Sequence, residues 1–306
     1  MDPEVNRFIL MNEGKGFPPG YPQSMVYILG KSNIASVNGD AHKIMRGAFL
    51  SLVSPPIIRH QILPKTDAFM RTHLTNWTHQ TIDIQQKTKE MAFLSSLNQI
   101  AGIGSSPLSK EFMAEFMKLA RKKIVRMLEE LIEDRRKSQE IHEDMLYSLM
   151  NGVDNRYKLS DEEIIDQIIT ILYSGFETVS TTSMMAIKYL HDHPRILEEF
   201  RVILETSRLA TIVNGVLRKT TKEMELEGQL IMDKPLETEN YFFVFGGGTR
   251  RCPGKELGIA EISTFLHYFV TRYRWEEVGG DEITKFPRVE APNGLQIKVS
   301  PYRHCY

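Results

Sequence analysis

Phe245 to Gly254 reads FGGGTRRCPG, and the fold follows from this decapeptide. Gly246, Gly247 and Gly248 allow the backbone to approach a flat ligand closely and to adopt positive φ. Cys252 follows within one short loop, and Pro253 suits the first turn of a helix. A helix starting there would point its free N–H groups back at the sulfur. That arrangement is expected to lower the thiol pKa and favour the thiolate, the form that binds metal. The bland reading is a buried cysteine at a helix start behind a glycine loop. A phosphate loop fails on detail, because Gly254-Lys255 is followed by Glu256 and not by Ser or Thr. A zinc site would need further thiols or clustered histidines, and the surrounding sequence has none.

Composition sets the frame around that loop. The chain has 306 residues, 42% apolar and 25% charged, ordinary values for a globular protein able to bury a sizeable core. A formal net charge of −1 gives no basic excess for nucleic acid. Cys252 and Cys305 are too few for a disulfide framework and fit a reducing compartment, with a bridge between them disfavoured. No apolar run reaches the length of a signal peptide or a membrane span, so the chain as written is expected to be soluble or peripheral.

The pattern along the chain is mostly helical with a few short strands. A short helix is expected from His42 to Leu52. Ile124, Val125, Leu128, Leu131 and Ile132 fall at helical spacing with a charged opposite face. Ser160 and Glu163 form a capping box ahead of a long apolar run from Ile164 to Leu190. Such a helix should cross the centre of the domain, and Gly175 interrupts it at a cost of about 1 kcal/mol relative to Ala. Another helix is expected from about Pro194 to Ala210, and one from after Cys252 to about Tyr273. Ile212 to Thr221 reads as a strand, Glu227-Gly228 as a turn before Gln229–Ile231, and Asn293-Gly294 before Leu295, Ile297 and Val299 as a terminal hairpin.

Phe245, Gly248, Arg250, Cys252 and Gly254 all sit where one ligand, haem, would place them. A cysteine thiolate on haem iron pushes electron density onto the metal and helps O–O cleavage. Arg250 would pair with a haem propionate and Phe245 would shield the sulfur. The five residues match F-x-x-G-x-R-x-C-x-G, and the chain thereby resembles the cytochrome P-450 superfamily of monooxygenases. Further pieces match in the same order. Ser174-Gly175-Phe176-Glu177-Thr178 resembles the oxygen-activation motif, in which Gly175 opens a pocket and Glu177 with Thr178 handles protons; Ser174 stands where the family has Ala or Gly. Without that context, Thr178 would be back-bonded to its own helix and Glu177 would lie at the surface. Glu205 and Arg208 match E-x-x-R, a pair the family buries and completes with a later Arg. By spacing alone they are an exposed pair worth about 0–1 kcal/mol. His42 and Arg46, one turn apart, resemble the helix that offers a basic pair to the haem propionates, against the alternative of polar residues on an exposed helix.

Tyr157–Pro194, Leu204–Thr221 and Gly254–Asp281 look like the plant brassinosteroid 6-oxidase branch. This resemblance runs from Pro3 to Tyr302. It implies a mainly α fold with small β-sheets over a single domain spanning residues 1–306. It also implies haem as cofactor, a steroid substrate oxidised at ring carbon six, O2, and electrons from an NADPH-fed cytochrome reductase at the endoplasmic reticulum membrane. The chain is shorter than such proteins. An N-terminal anchor and first sheet region, and segments near Ala120–Arg121, Phe200–Arg201 and Ile231–Met232, are expected to be missing. Two other readings follow from these gaps. One is a remnant that no longer catalyses. The other is a hydroxylase of a different terpenoid.

Overall fold

The computed structural model describes residues 3–138, 140–152, 158–193, 202–213, 215–219 and 244–302. Helices dominate: α1 (Pro3–Met11), α2 (Gln23–Leu29), α3 (Gly39–Leu52), α4 (Pro55–Ile57), α5 (Leu63–His73), α6 (Ile84–Ala101), α7 (Pro107–Met117), α8 (Arg121–Lys137), α9 (Met145–Asn151), α10 (Asp161–Asp192), α11 (Val202–Ala210) and α12 (Lys255–Arg272). A π turn, Ile58–Ile62, joins α4 to α5. The strands β1 (Thr81–Asp83), β2 (Tyr273–Gly280) and β3 (Leu295–Pro301) form one antiparallel sheet in the order β1-β3-β2.

The long helix forms as its sequence predicts. The Ser160 Oγ accepts from the Glu163 N–H at 3.3 Å, and the Glu163 carboxylate accepts from the Ser160 N–H at 2.8 Å. Asp161, Glu162 and Glu163 place negative charge at the positive end of the helix dipole. The helix runs for 32 residues and lies against α6, α11 and α12. It joins two hydrophobic clusters. Ile164 to Phe176 belong to the first, and Val179 to Leu190 to the second. Helix α6 divides likewise, with Ala92 in the second cluster and Phe93 in the first. Gly175 to Thr178 therefore lie at a seam between two halves of the core.

Other expectations fare unevenly. The His42–Leu52 helix is present and starts at Gly39. Ile124, Leu128 and Ile132 are the buried stripe of α8. The α12 helix ends at Arg272, as the pattern suggests, but begins at Lys255 with Gly254 as its cap, so Pro253 precedes the first turn. Leu295, Ile297 and Val299 are buried on β3, which pairs with β2 across the connection 281–294 and not through a tight two-residue turn.

The strand expected over Ile212–Thr221 is not formed in its described part. Thr211 has φ of 54°, and a single bridge joins Arg218 to Pro19. The Gly20 N–H donates to Leu217 O and the Lys219 N–H to Pro18 O, each at 3.1 Å. Pro18 and Pro19 carry no N–H, so the ladder cannot extend along that partner. The Glu227-Gly228 turn, Gln229–Ile231, the start of the Pro194 helix, Cys305 and the junctions at Phe200–Arg201 and Ile231–Met232 lie outside the described residues. The Ala120–Arg121 junction is a tight turn between α7 and α8, with Leu119 at φ of 53°.

Candidate functional site

The loop before α12 is built from hydrogen bonds that close it on itself. The Cys252 N–H donates to Phe245 O at 2.8 Å, and the Arg251 N–H to Gly248 O at 3.2 Å. Gly248 has φ of 66°, and a Cβ there would lie 2.4 Å from Leu10 O. Glycine at 248 is thus required by the backbone of α1 as well as by the turn. Phe245 is half-buried, with the Lys255 ammonium 5.7 Å from its ring centroid.

Cys252 is exposed by area, but protein surrounds the sulfur on most sides. The backbone N–H groups of Gly254 and Lys255 face it, as the helix-start reading expects, and Arg46 and Arg251 add positive charge. Desolvation nevertheless outweighs them and leaves the thiol raised above its ordinary value. The expected lowering is corrected accordingly: the helix end helps, but not enough in the protein alone.

A cavity of about 140 Å³ opens beside this loop. His42, Arg46, Arg218, Gly246, Gly247 and Arg250 line it, and among the described residues no acidic side chain does. His42 is buried, and its pKa is lowered by burial and then by the charge of Arg250. Burial also lowers that of Arg46, against the pull of Cys252. The buried Arg218 Nε has no hydrogen-bond partner among the described residues. A half-satisfied pocket lined with arginines, next to the Cys252 loop, fits a ligand that brings both a metal and carboxylates. Sequence reasoning missed Arg218. Its signal was weak, one of two adjacent basic residues, Arg218 and Lys219, in a β-branched stretch.

Arg250 borders the same cavity, yet the structure directs its donors elsewhere. Nε donates to Glu13 Oε1 at 2.8 Å, Nη1 to the carbonyls of Ile34 and Ala35 at 3.1 and 3.4 Å, and Nη2 to Val37 O and Asn38 Oδ1 at 2.7 and 2.9 Å. The guanidinium fork is filled by protein acceptors, so a direct partnership with a propionate is not what this geometry displays.

The oxygen-motif residues lie on α10. Val179, next to Thr178, touches the position a Gly258 Cβ would take at 3.9 Å, so α10 and the start of α12 run side by side. Thr178 Oγ1 donates to Ser174 O at 2.7 Å, the helix back-bond. Its proton is thus turned into the helix, not towards a water chain. Glu177 is half-buried. A Cβ on Gly175 would meet Ser96 Oγ at 3.4 Å, so this glycine sits against α6 and does not face open space. Glu205 and Arg208 form their pair, Nη2 to Oε2 at 2.7 Å, but both side chains are about half exposed, at 49% and 52%. Among the described residues the pair is not buried, and screening by water keeps it weak.

A polar network that sequence reasoning did not single out lies along α12. Glu261, 3% exposed, accepts from Gln99 Nε2 at 2.6 Å and Ser95 Oγ at 3.1 Å, and Gln99 reaches Thr66 Oγ1 at 3.0 Å. Burial pushes the Glu261 carboxyl up to about 7. Among the described residues, no helix is long and apolar enough to cross a membrane.

Comparison with known proteins gives the family of the chain. A family model described as Cytochrome P450 matches residues 75–201 and 232–306. Cytochrome P450 85A1 of Solanum lycopersicum is 56% identical over 383 residues, covering 99% of this chain and 82% of that protein. That of Arabidopsis thaliana is 51% identical, covering 99% and 83%. The aligned spans exceed the 306 residues of the chain, so these relatives carry internal stretches without a counterpart here. The Arabidopsis thaliana protein named 3-epi-6-deoxocathasterone 23-monooxygenase CYP90C1 is 28% identical, covering 98% and 74%. Among solved structures, a cyanobacterial CYP120A1 bound to retinoic acid aligns with a TM-score of 0.86 at 21% identity, covering 98% of this chain and 88% of that one.

Proposed function

We propose, from the premise that this chain belongs to the cytochrome P450 family and groups with the plant 85A members, that it is a haem-thiolate monooxygenase of the brassinosteroid 6-oxidase kind. The substrate is a steroid oxidised at ring carbon six with O2, and the electrons come from an NADPH-fed cytochrome reductase. The single observation that carries the reading is the pairing of Cys252, at the end of its hydrogen-bonded loop, with a cavity whose described lining is basic and includes an Arg218 Nε that has no partner among the described residues.

In this reading Cys252 would ligate the haem iron. His42, Arg46 and Arg218 hold the carboxylates of the haem, and Arg250 contributes by fixing the loop beside them. Bound haem supplies activation of molecular oxygen, for which a thiolate ligand is suited. Phe245 limits access of water to the sulfur. Gly248 and Gly254 let the loop and the α12 start take their shape. Thr178 and Glu177 hold and pass protons from α10, for which Thr178 must exchange its bond to Ser174 O for one to water. Gly175 sets the approach of α10 to α6. Glu205 and Arg208 steady α11. The endoplasmic reticulum membrane is the site of action by likeness to the family.

A second reading, a remnant that binds haem without turnover, is favoured by the alignment gaps and by the half-exposed Glu205–Arg208 pair. In keeping with the first reading, the 85A relatives stand at 47–56% identity against 28% for the 23-monooxygenase. The test is to express the chain with haem, reduce it and add carbon monoxide. The thiolate-type Soret band is expected, and is expected to be lost in Cys252→Ser. Retention of no haem in the unsubstituted chain sinks the proposal, and a thiolate band without steroid turnover selects the remnant.

A further inference from the structure

Glu13 lies in the segment after α1, 237 residues from Arg250 in sequence, and nothing in its local pattern marks it for function. In space it meets the ligand loop from behind. The Glu13 Oε1 accepts from Arg250 Nε at 2.8 Å and Nη2 at 2.7 Å, and Oε2 accepts from Thr249 Oγ1 at 2.8 Å. The Arg250 and Glu13 side chains are only 9% and 18% exposed. Burial opposes ionisation of Glu13, but the bonds from Arg250 and Thr249 and the charge of Arg250 prevail and hold the carboxyl below its ordinary range. A charge-assisted pair shielded from water is worth more than a surface pair.

The consequence is a division of labour among the basic side chains. Arg250 is drawn back onto Glu13 and onto the carbonyls of residues 34, 35 and 37, Thr249 bonds to the same Glu13 carboxylate, and the Arg251 N–H closes the turn on Gly248 O. Cys252 stands two residues beyond this anchor, with the loop closed by its own N–H on Phe245 O. His42, Arg46 and Arg218 are left facing the cavity. We infer that Glu13 is a positioning residue for Cys252: acting through Arg250 and Thr249, it fixes the loop that presents the sulfur. The sulfur's role as a ligand rests on the function proposed above, whereas the hold on the loop does not.

The variants are Glu13→Gln, Glu13→Asp and Thr249→Val, the last removing only a surface hydroxyl from the cluster. Hydrogen exchange on the haem-free full chain reads the Arg251 and Cys252 amides. Loss of the charged acceptor in Glu13→Gln is expected to speed both at least about tenfold, with peptides from α6 and α10 unchanged. Thr249→Val is expected to speed them by a few-fold, and Glu13→Asp to recover part of the protection. In the haem-loaded, CO-bound ferrous protein, Glu13→Gln is expected to shift population from the thiolate-type to the thiol-type Soret band. Unchanged amide exchange in both Glu13→Gln and Thr249→Val overturns the inference, as does a uniform acceleration across the chain. If the unsubstituted chain takes up no haem, the function proposed above fails, while the exchange comparison still decides the role of Glu13.

Discussion

Glu261 offers a sharp quantitative check, because it is fully buried on the helix that follows the ligand loop and its known partners are neutral. Gln99, Ser95 and Thr66 donate or relay hydrogen bonds, and none brings a positive charge. Burial raises the carboxyl from its ordinary 4.5 to about 7. The folded chain therefore keeps a proton that the unfolded chain gives up. The stability attached to that proton is complete below the unfolded pKa, falls as pH rises towards about 7, and is flat beyond. Each pH unit inside the window costs about 1.4 kcal/mol, so the chain should lose about 2–3 kcal/mol between about pH 5 and about pH 8. Glu261→Gln keeps the shape and removes the titration. Urea denaturation of both proteins across that range reads the difference directly, since every other group cancels in the subtraction. The gap between them is expected to swing by that amount in favour of Glu261→Gln at the alkaline end. Parallel profiles would refute the placement of Glu261 in a sealed neutral network.

Asp166, wholly buried on α10, takes an ion pair from Arg121 and a 2.9 Å bond from the Ser32 N–H. Asp166→Ala should cost about 3–5 kcal/mol in chemical denaturation, because it strands the Arg121 charge; a loss under about 1 kcal/mol counts against the clamp. Glu205→Gln should cost no more than about 0.5–1 kcal/mol, and that cost should shrink with added salt, because the pair is half exposed. A larger, salt-independent loss would mean that the pair is buried as in the family.

How much of this was legible in the chain depends on how local the cause is. The α10 start was legible because Ser160 and Glu163 satisfy each other three residues apart, and the stripe of α8 because its spacing alone sets which residues face inward. The ligand loop was legible because its glycines, arginine and cysteine fall within one decapeptide. What sequence did not disclose is where each donor finds its acceptor. The strand expected after α11 fails because the segment it meets carries Pro18 and Pro19. Thr178 spends its proton on Ser174 O, and Gly175 serves the approach of α6. The two arginines make the point most clearly. Arg250, named by the motif, is satisfied by Glu13 and by carbonyls far away in sequence, while Arg218, named by nothing local, is half-buried with a buried Nε that has no partner among the described residues. A buried donor without an acceptor is costly, so of the two it is Arg218 that gains more from an incoming carboxylate. A motif thus identifies which residues gather at the site, and the long-range hydrogen bonds decide which of them remain free to bind.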